Sequence, residues 1–385
     1  MNILKKALKH VFPPRVLKSA FLLYNTSKAN TWDLIFFRKE SISKEDFTEN
    51  QKKNPFLSAG VQDQLFEREI QTKLSLWIDP DWTQDQYLLI YKKKGLIEPQ
   101  TGWAISADKK LIYPSLGFSN ATHVHKPKFS AMYLRKKKIK FIAKVISLRD
   151  TGEQNYFHFY NDVLAKLFYL RDCGITLNEF VVVVSSHLYQ KAYFQYFLTN
   201  PFLKHLNWHI QTDDWIQFDE AIFCKPYTHT KKYFEESIKL VDPVYGNMAN
   251  RRIFLTRAPN TLRFIENFAE IQPLLERFNF EIVDTSEMSI QNQILLFREC
   301  RYLIAIHGAG ITNIIFREGQ PLSLLEIVHP NPYIPFHYIM LSKLFDYSYD
   351  VMLGKKGKLS GKGGFVLDPV KLEGKIISML GARIQ

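Results

Sequence analysis

The chain has 385 residues, 46% of them hydrophobic and 23% charged, with a formal net charge of +13. That length favours two domains, each able to bury a full core, and the composition argues against a disordered or fibrous chain. No run of 18 apolar residues exists, which argues against a membrane-spanning helix, and three distant cysteines (Cys173, Cys224, Cys300) argue against a disulfide framework or a structural zinc site and fit a reducing compartment.

A basic surplus of this size points to an anionic partner: nucleic acid, a membrane surface or phosphorylated substrates. No recognised motif supports nucleic acid. The chain opens with Ile3, Leu4, Ala7, Leu8 and Val11 on one helical face and Lys5, Lys6, Lys9 and His10 elsewhere, before Pro13 and Pro14. Residues 1–24 read as an amphipathic anchor for anionic lipid, with a helix docked on the protein's own body as the alternative.

Residues 1–60 are expected to be a basic, irregular segment. Residues 61–235 are expected to form a first domain and 236–385 a second. Between 76 and 148 the pattern predicts short strands and hairpins at Gln86–Tyr91, Leu111–Tyr113 and Lys138–Leu148, with the basic cluster Arg135–Lys138 at a hairpin tip. From about 155 helices and strands alternate. Helices are predicted over 156–172, 189–198, 231–240, 262–278, 289–300 and 338–345; Pro273 divides or kinks the fourth. Strands are predicted at Phe180–Val184, Glu220–Cys224, Arg252–Thr256, Phe280–Val283, Tyr302–Ile306, Leu322–Val328 and Tyr347–Leu353. Such alternation means βα units on parallel sheets. Gly354–Gly364, with four lysines and no acid, reads as a mobile loop.

Three polar groups stand out. The first is Asn155-Tyr-Phe-His158-Phe-Tyr-Asn-Asp162, where His158 and Asp162 share one helical face. Such a pair is equipped for general-base work, or for capping a helix start. The second places Arg257 after a buried strand and Arg263 in the expected first turn of the next helix. A cation at that end suggests a bound anion, and arginine suits diphosphate; a pair of surface arginines is the plainer reading. The third is Tyr302-Leu-Ile-Ala-Ile-His307-Gly308-Ala309-Gly310-Ile-Thr312-Asn313, a strand, a tight turn and a helix start, followed by Glu326 inside an apolar strand. The turn is fit to cradle a phosphate or simply to pack. Glu326 is fit to meet ribose hydroxyls or to form a buried ion pair.

Taken in order, Asn155-Tyr-Phe-His158-(x3)-Asp162, Arg257-(x5)-Arg263-(x3)-Asn267, Gln293-Ile-(x2)-Phe297, His307-Gly-Ala-Gly310-(x2)-Asn313-(x2)-Phe316 and Glu326-Ile327 resemble glycosyltransferase family 61 over residues 150–370. Phe159 and Ala165-Lys166 depart from the family's Trp and Pro-Arg, and Phe268 from an acid. The resemblance implies an α/β, GT-B-like fold with two facing Rossmann-like domains on parallel sheets. It implies inverting sugar transfer from a nucleotide-diphosphate donor, expected to be a UDP-sugar, with no metal and no cofactor. Arg257, Arg263, His307, Gly308, Ala309, Gly310, Thr312 and Asn313 would hold the diphosphate and sugar, and Glu326 the ribose. Asp162 or His158 would be the base, with Asn155 supporting the acceptor side. Eukaryotic members carry a lumenal type II anchor; without one, the chain resembles bacterial members serving capsule, lipopolysaccharide or exopolysaccharide assembly. The expected acceptor is a glycan or lipid-linked glycan, and the expected place the cytoplasm, at the inner face of the plasma membrane. The competing functions are a phosphate- or acyl-group transferase acting on glycans, and a non-catalytic nucleotide- or glycan-binding protein.

Overall fold

A computed structural model describes residues 48–53, 67–74, 83–108, 110–116, 138–150, 152–241, 250–257, 263–331 and 334–381. The amphipathic start and the lysine cluster up to residue 137 lie outside the described residues.

Nine parallel strands carry the architecture: β1 (Lys144–Ser147), β2 (Val181–Ser185), β3 (Asn207–Gln211), β4 (Glu220–Lys225), β5 (Arg251–Leu255), β6 (Glu281–Val283), β7 (Cys300–Ile306), β8 (Ser323–Val328) and β9 (Ser348–Leu353). The first four pair in the order β4-β1-β2-β3, extended on the β4 side by antiparallel Thr83–Tyr91 and then Thr48–Lys53. The other five form a wholly parallel sheet, β6-β5-β7-β8-β9. Their sequences explain the placement. Val182, Val183 and Val184 are 0% exposed, as are Leu303, Ile304 and Ala305, so side chains are buried on both faces and the strands read as unbroken apolar runs.

Each sheet contributes one face to a shared core. Ile146, Val182, Val184 and Ile222 of the first sheet and Ile253, Leu255, Leu303 and Val351 of the second belong to one buried cluster. Helix residues from both halves fill it, including Leu164, Leu167, Phe197, Phe234, Phe297 and Ile339. The outer face of the second sheet packs on helices Phe268–Arg277 and Pro369–Gly381 through Ile271, Leu275, Leu372 and Ile376. The outer face of the first sheet meets a small four-stranded sheet instead, through Ile97, Ala104, Ile216 and Phe218. The first half therefore departs from a sheet flanked by helices on both faces.

Several elements differ from expectation. The stretch Lys138–Leu148 splits into Ile139–Phe141, paired with Trp215–Phe218, and β1, paired with β2 and β4; the two pieces serve different sheets. Leu111 makes a single bridge to Ile105, and a 3-10 turn follows at Tyr113–Leu116. The helix expected from 262 begins only at Phe268, because Phe264–Ile265 pairs as a strand with Gly364–Val366. Asn267 fixes that junction: its amide donates to the Leu367 carbonyl and accepts from the Leu367 N–H, at 2.8 and 3.0 Å. The glycine- and lysine-rich 354–364 segment is built into the same small sheet through Lys355–Lys356, followed by a 3-10 turn at Ser360–Lys362. β3 and the helix Pro369–Gly381 were not anticipated.

Candidate active site

In open α/β sheets, ligands bind beyond the carboxyl ends of the strands, where the chain reverses its winding direction. The second sheet reverses between β5 and β7, in the 2-1-3-4-5 order of flavodoxin-like folds. Arg257 follows β5 and His307-Gly308 follows β7, so these residues flank the reversal. The first sheet reverses between β1 and β4. The chain leaving β1 leads to the helix that starts at Tyr156, and the chain leaving β4 leads to Thr228-His229.

Residues at the first sheet's reversal point meet the start of the second-half helix His337–Leu344, and His307 of the second reversal point meets the same helix. Phe157 lies with its ring centroid 4.4 Å from that of His337, and His229 stacks on His337 at 5.4 Å with planes 11° apart. His158 and His337 are 6.2 Å apart, and His307 and Tyr338 5.4 Å. Phe157, only 3% exposed, contributes roughly 2–3 kcal/mol of burial to this seam.

The first-half helix is continuous over 156–172 but opens into a π turn at Phe159–Leu164. Such turns recur at functional sites. Asn155 caps the helix, its side-chain oxygen accepting from the Phe157 N–H at 2.9 Å. One turn on, the His158 Nδ1–H donates to Asp162 Oδ2 at 2.5 Å, and the side chains are 21% and 10% exposed. A carboxylate can only accept, so Nδ1 carries the imidazole proton and Nε2 keeps its lone pair. Burial pulls the His158 pKa down, but the hydrogen bond and charge of Asp162 outweigh it and leave the imidazole raised above 6.5. Behind the pair, Lys166 donates to Asp150 at 2.9 Å and to the Arg149 carbonyl at 3.2 Å, and Arg149 donates to Glu153 at 3.0 Å and to Gln211. The lysine that departs from the family pattern is thus a paired, buried member of this network.

On the second half, the Arg257 guanidinium rests on Gly308. A Cβ there would overlap Nη2 and Cζ, whereas a Cβ on Gly310 would meet Leu255 Cδ2 at 3.5 Å and Thr285 Oγ1 at 3.8 Å, both ordinary contacts. Gly308 has φ 168°, an extended backbone open to any residue, so it is space and not conformation that demands glycine at this position. Arg263 donates through Nη1 to the His307 carbonyl at 2.9 Å. It sits just before a strand rather than in a helical first turn, so the helix-dipole argument for an anion does not apply to it. Electrostatics supply another. Burial and the neighbouring Arg263 push the Arg257 pKa down, and burial, Arg263 and His307 do the same to His329 at the end of β8. Among the described residues Arg257 has no hydrogen bond or ion pair. Tyr338 and Asp284 act the other way on Arg257 but are outweighed by burial and Arg263, and crowded cations with no carboxylate bonded to Arg257 are a site for an anion.

The remaining expected ligands are placed differently. The segment Ala309–Arg317 is a 3-10 helix, and Thr312 and Asn313 within it are 0% exposed. Asn313 accepts from the Tyr156 hydroxyl at 2.6 Å and donates to Gln293 Oε1 at 3.1 Å, bridging the two halves. Glu326 is also 0% exposed. Its carboxylate accepts from His307 Nδ1 and, at 2.7 Å, from the Tyr349 hydroxyl. Ala309 and Gly310 remain half-buried at the rim.

His229, His337 and Tyr338 carry no signal in the sequence, and the buried partners of Glu326 are His307 and Tyr349 rather than His329 or an arginine. Burial lowers the His229 pKa to about 4 despite nearby Asp162, and lowers His337 well below 6.5 with help from His229 and His158, so both imidazoles are neutral. Among the described residues no group of three His, Cys, Asp or Glu side chains is arranged to hold a metal, and no helix is long and apolar enough to cross a membrane.

No curated protein matches the chain. Residues 156–322 match the model of the family Glycosyltransferase 61, a match that spans both halves of the site, supports membership of that family and indicates that the protein is a glycosyltransferase.

Proposed function

We propose an inverting glycosyltransferase that moves a sugar from a nucleoside-diphosphate donor, with UDP as the nucleotide, to a glycan or lipid-linked glycan. The observation that carries this reading is the pair of crowded guanidiniums, Arg257 and Arg263, at the reversal point of the second sheet, with Arg263 bonded to the carbonyl of His307, which together with His158 of the His158–Asp162 pair acts on His337. An inverting transfer needs a base on one side of the anomeric carbon and charge stabilisation of the leaving diphosphate on the other. His158 Nε2 takes the acceptor hydroxyl proton while Asp162 holds the imidazole in the Nδ1–H tautomer, as the carboxylate does in a Ser-His-Asp triad. The acceptor oxygen attacks the anomeric carbon, and the bond to the diphosphate oxygen breaks. Arg257, Arg263 and the backbone of Gly308–Gly310 take up the charge.

In this reading Glu326 braces His307, and Asn313 braces the seam; Thr312 lies beneath the site with them. The two halves act as the two facing domains of a GT-B-like enzyme, with the acceptor approaching from residues 61–235 and the donor held by 236–385. A bacterial role in surface polysaccharide assembly, at the inner face of the plasma membrane through residues 1–24, completes the proposal.

Thermal-shift titration with UDP, GDP, CDP and ADP tests it. UDP should raise the melting temperature, and Arg257→Ala should abolish the rise. No response to any nucleotide would overturn the reading. Activity should also survive EDTA, since two arginines and backbone donors do the work a metal would otherwise do.

A further inference from the structure

The His158–Asp162 pair has a third member. Asn161 is 4% exposed and lies in the π turn beside Asp162. Its Oδ1 accepts from the backbone N–H of His229 at 2.8 Å, and its Nδ2 donates to Asp162 Oδ1 at 2.8 Å. The amide orientation is fixed by chemistry. A backbone N–H can only donate, so it must face Oδ1, and the remaining NH2 then faces a carboxylate that can only accept. Asp162 is thereby held at both oxygens, Oδ1 by Asn161 and Oδ2 by His158.

The chain bends to make this possible. His229 has φ 55°, a left-handed conformation that a non-glycine residue seldom adopts. That conformation sits at the end of β4, on the far side of the first sheet's reversal point from the helix bearing Asn161. Thr228 and the imidazole of His229 lock the turn further: His229 Nδ1 lies 3.1 Å from Thr228 Oγ1, and Gln84 donates to that hydroxyl at 2.7 Å.

We infer that Asn161, anchored on the backbone of His229, is a positioning residue that sets the Asp162 carboxylate and through it the tautomer and basicity of His158. This rests on the proposed role of His158 as base. The groups facing His158 include Asp162 on its own helix, Asp150 from the loop after β1, His229 from the turn after β4 and His337 from the second half. Only the first two favour the imidazolium. Without Asn161, Asp162 Oδ1 loses its donor and the carboxylate is free to turn away from Nδ1, leaving Asp150 alone against burial and two neutral imidazoles.

The test needs no substrate. In the full chain labelled with 15N-histidine, long-range 1H–15N spectra read the tautomer and titration of His158, assigned with His158→Gln. Wild type should show the Nδ1–H form and a midpoint above 6.5. Asn161→Ala should lower the midpoint by roughly one unit and mix the tautomers. His229→Gly keeps the N–H and accepts the backbone angle, and it removes only an imidazole that disfavours the imidazolium, so the midpoint of its His158 should not fall below that of wild type. Unchanged melting temperature and UDP shift in Asn161→Ala show that the fold and donor side persist; should Ala fail to fold, Asn161→Ser replaces it with the same expected shift. A wild-type titration in Asn161→Ala, or a shift in His229→Gly equal to that in Asn161→Ala, overturns the inference. Absence of any UDP shift in wild type overturns the donor reading instead, and leaves the His158 titration to be judged by itself.

Discussion

Arg257 lies on Gly308 so closely that the glycine has no room for a side chain. The two residues follow strands β5 and β7, which flank the reversal of the second sheet, and their contact seats a guanidinium on the turn. Gly308→Ala should displace it. The loss of a charged hydrogen bond to diphosphate, about 1.5–3 kcal/mol, should weaken UDP binding by roughly 10–100-fold. Gly310→Ala, whose new methyl would touch Leu255 and Thr285 at ordinary contact distance, should bind UDP within about threefold of wild type. Isothermal titration of both variants checks the contrast; equal losses would show that the turn needs flexible backbone rather than space for Arg257.

The His158–Asp162 hydrogen bond governs pH dependence. His158 is raised above 6.5, so a base at this position is protonated and idle at lower pH, and kcat/KM should climb through a midpoint above 6.5. Asp162→Asn puts an amide against Nδ1. Turned to donate, it shifts the proton to Nε2 and blocks the base, and kcat should fall about a thousandfold or more, with the UDP shift retained. Transfer by the Asn variant at the wild-type rate would remove His158 and Asp162 from the chemistry.

The stacked imidazoles of His229 and His337 make the seam acid-sensitive. His229 titrates near 4 in the folded chain and near 6.5 when unfolded. Its folded pKa is depressed, so its contribution is fully present above 6.5 and is lost as pH falls from there towards 4. The full loss is about 3 kcal/mol. His229→Asn keeps a residue that tolerates the left-handed backbone and removes the titration. Melting temperature should therefore fall less steeply between pH 6.5 and 4 in the variant than in wild type. Parallel curves would place the acid sensitivity elsewhere.

What the sequence made legible follows from the range of the interactions concerned. Phe180–Val184 and Tyr302–Ile306 read as buried parallel strands because burial on both faces leaves an unbroken apolar run. The i, i+4 spacing of His158 and Asp162 announced their contact because it lies within one helix. Arg263 reads as helical because the partner of the adjoining strand Phe264–Ile265, Gly364–Val366, is about a hundred residues away. Asn313 and Glu326 looked like ligands for the same reason: their partners Tyr156, Gln293, His307 and Tyr349 come from other elements, so nothing local tells a polar side chain that faces substrate from one that faces a neighbour. His229 and His337 carried no periodic signal at all; one follows a strand end and the other opens a helix, and only the fold stacks them.

Glu326 separates the two roles a buried carboxylate at a strand end can take. In the structure both its oxygens are occupied, by His307 and Tyr349, with no exposed surface. Glu326→Gln keeps an acceptor for His307 Nδ1–H and offers Tyr349 a donor, so the variant should fold with little loss. Glu326→Ala leaves two buried donors unpaired beside a cavity and should cost about 3–5 kcal/mol. The nucleotide experiment decides function. If the carboxylate braces His307, UDP and 2′-deoxy-UDP should keep the same affinity ratio in Glu326→Gln as in wild type. If it reaches the ribose, the wild type should favour UDP and the variant should lose most of that preference, because a site built around a hydroxyl rejects the analogue lacking it only while its hydrogen-bonding group is intact. Calorimetry of four pairings, two proteins with two nucleotides, gives the answer. We expect the ratio to hold, since His307 stands between Glu326 and the turn and takes the carboxylate first.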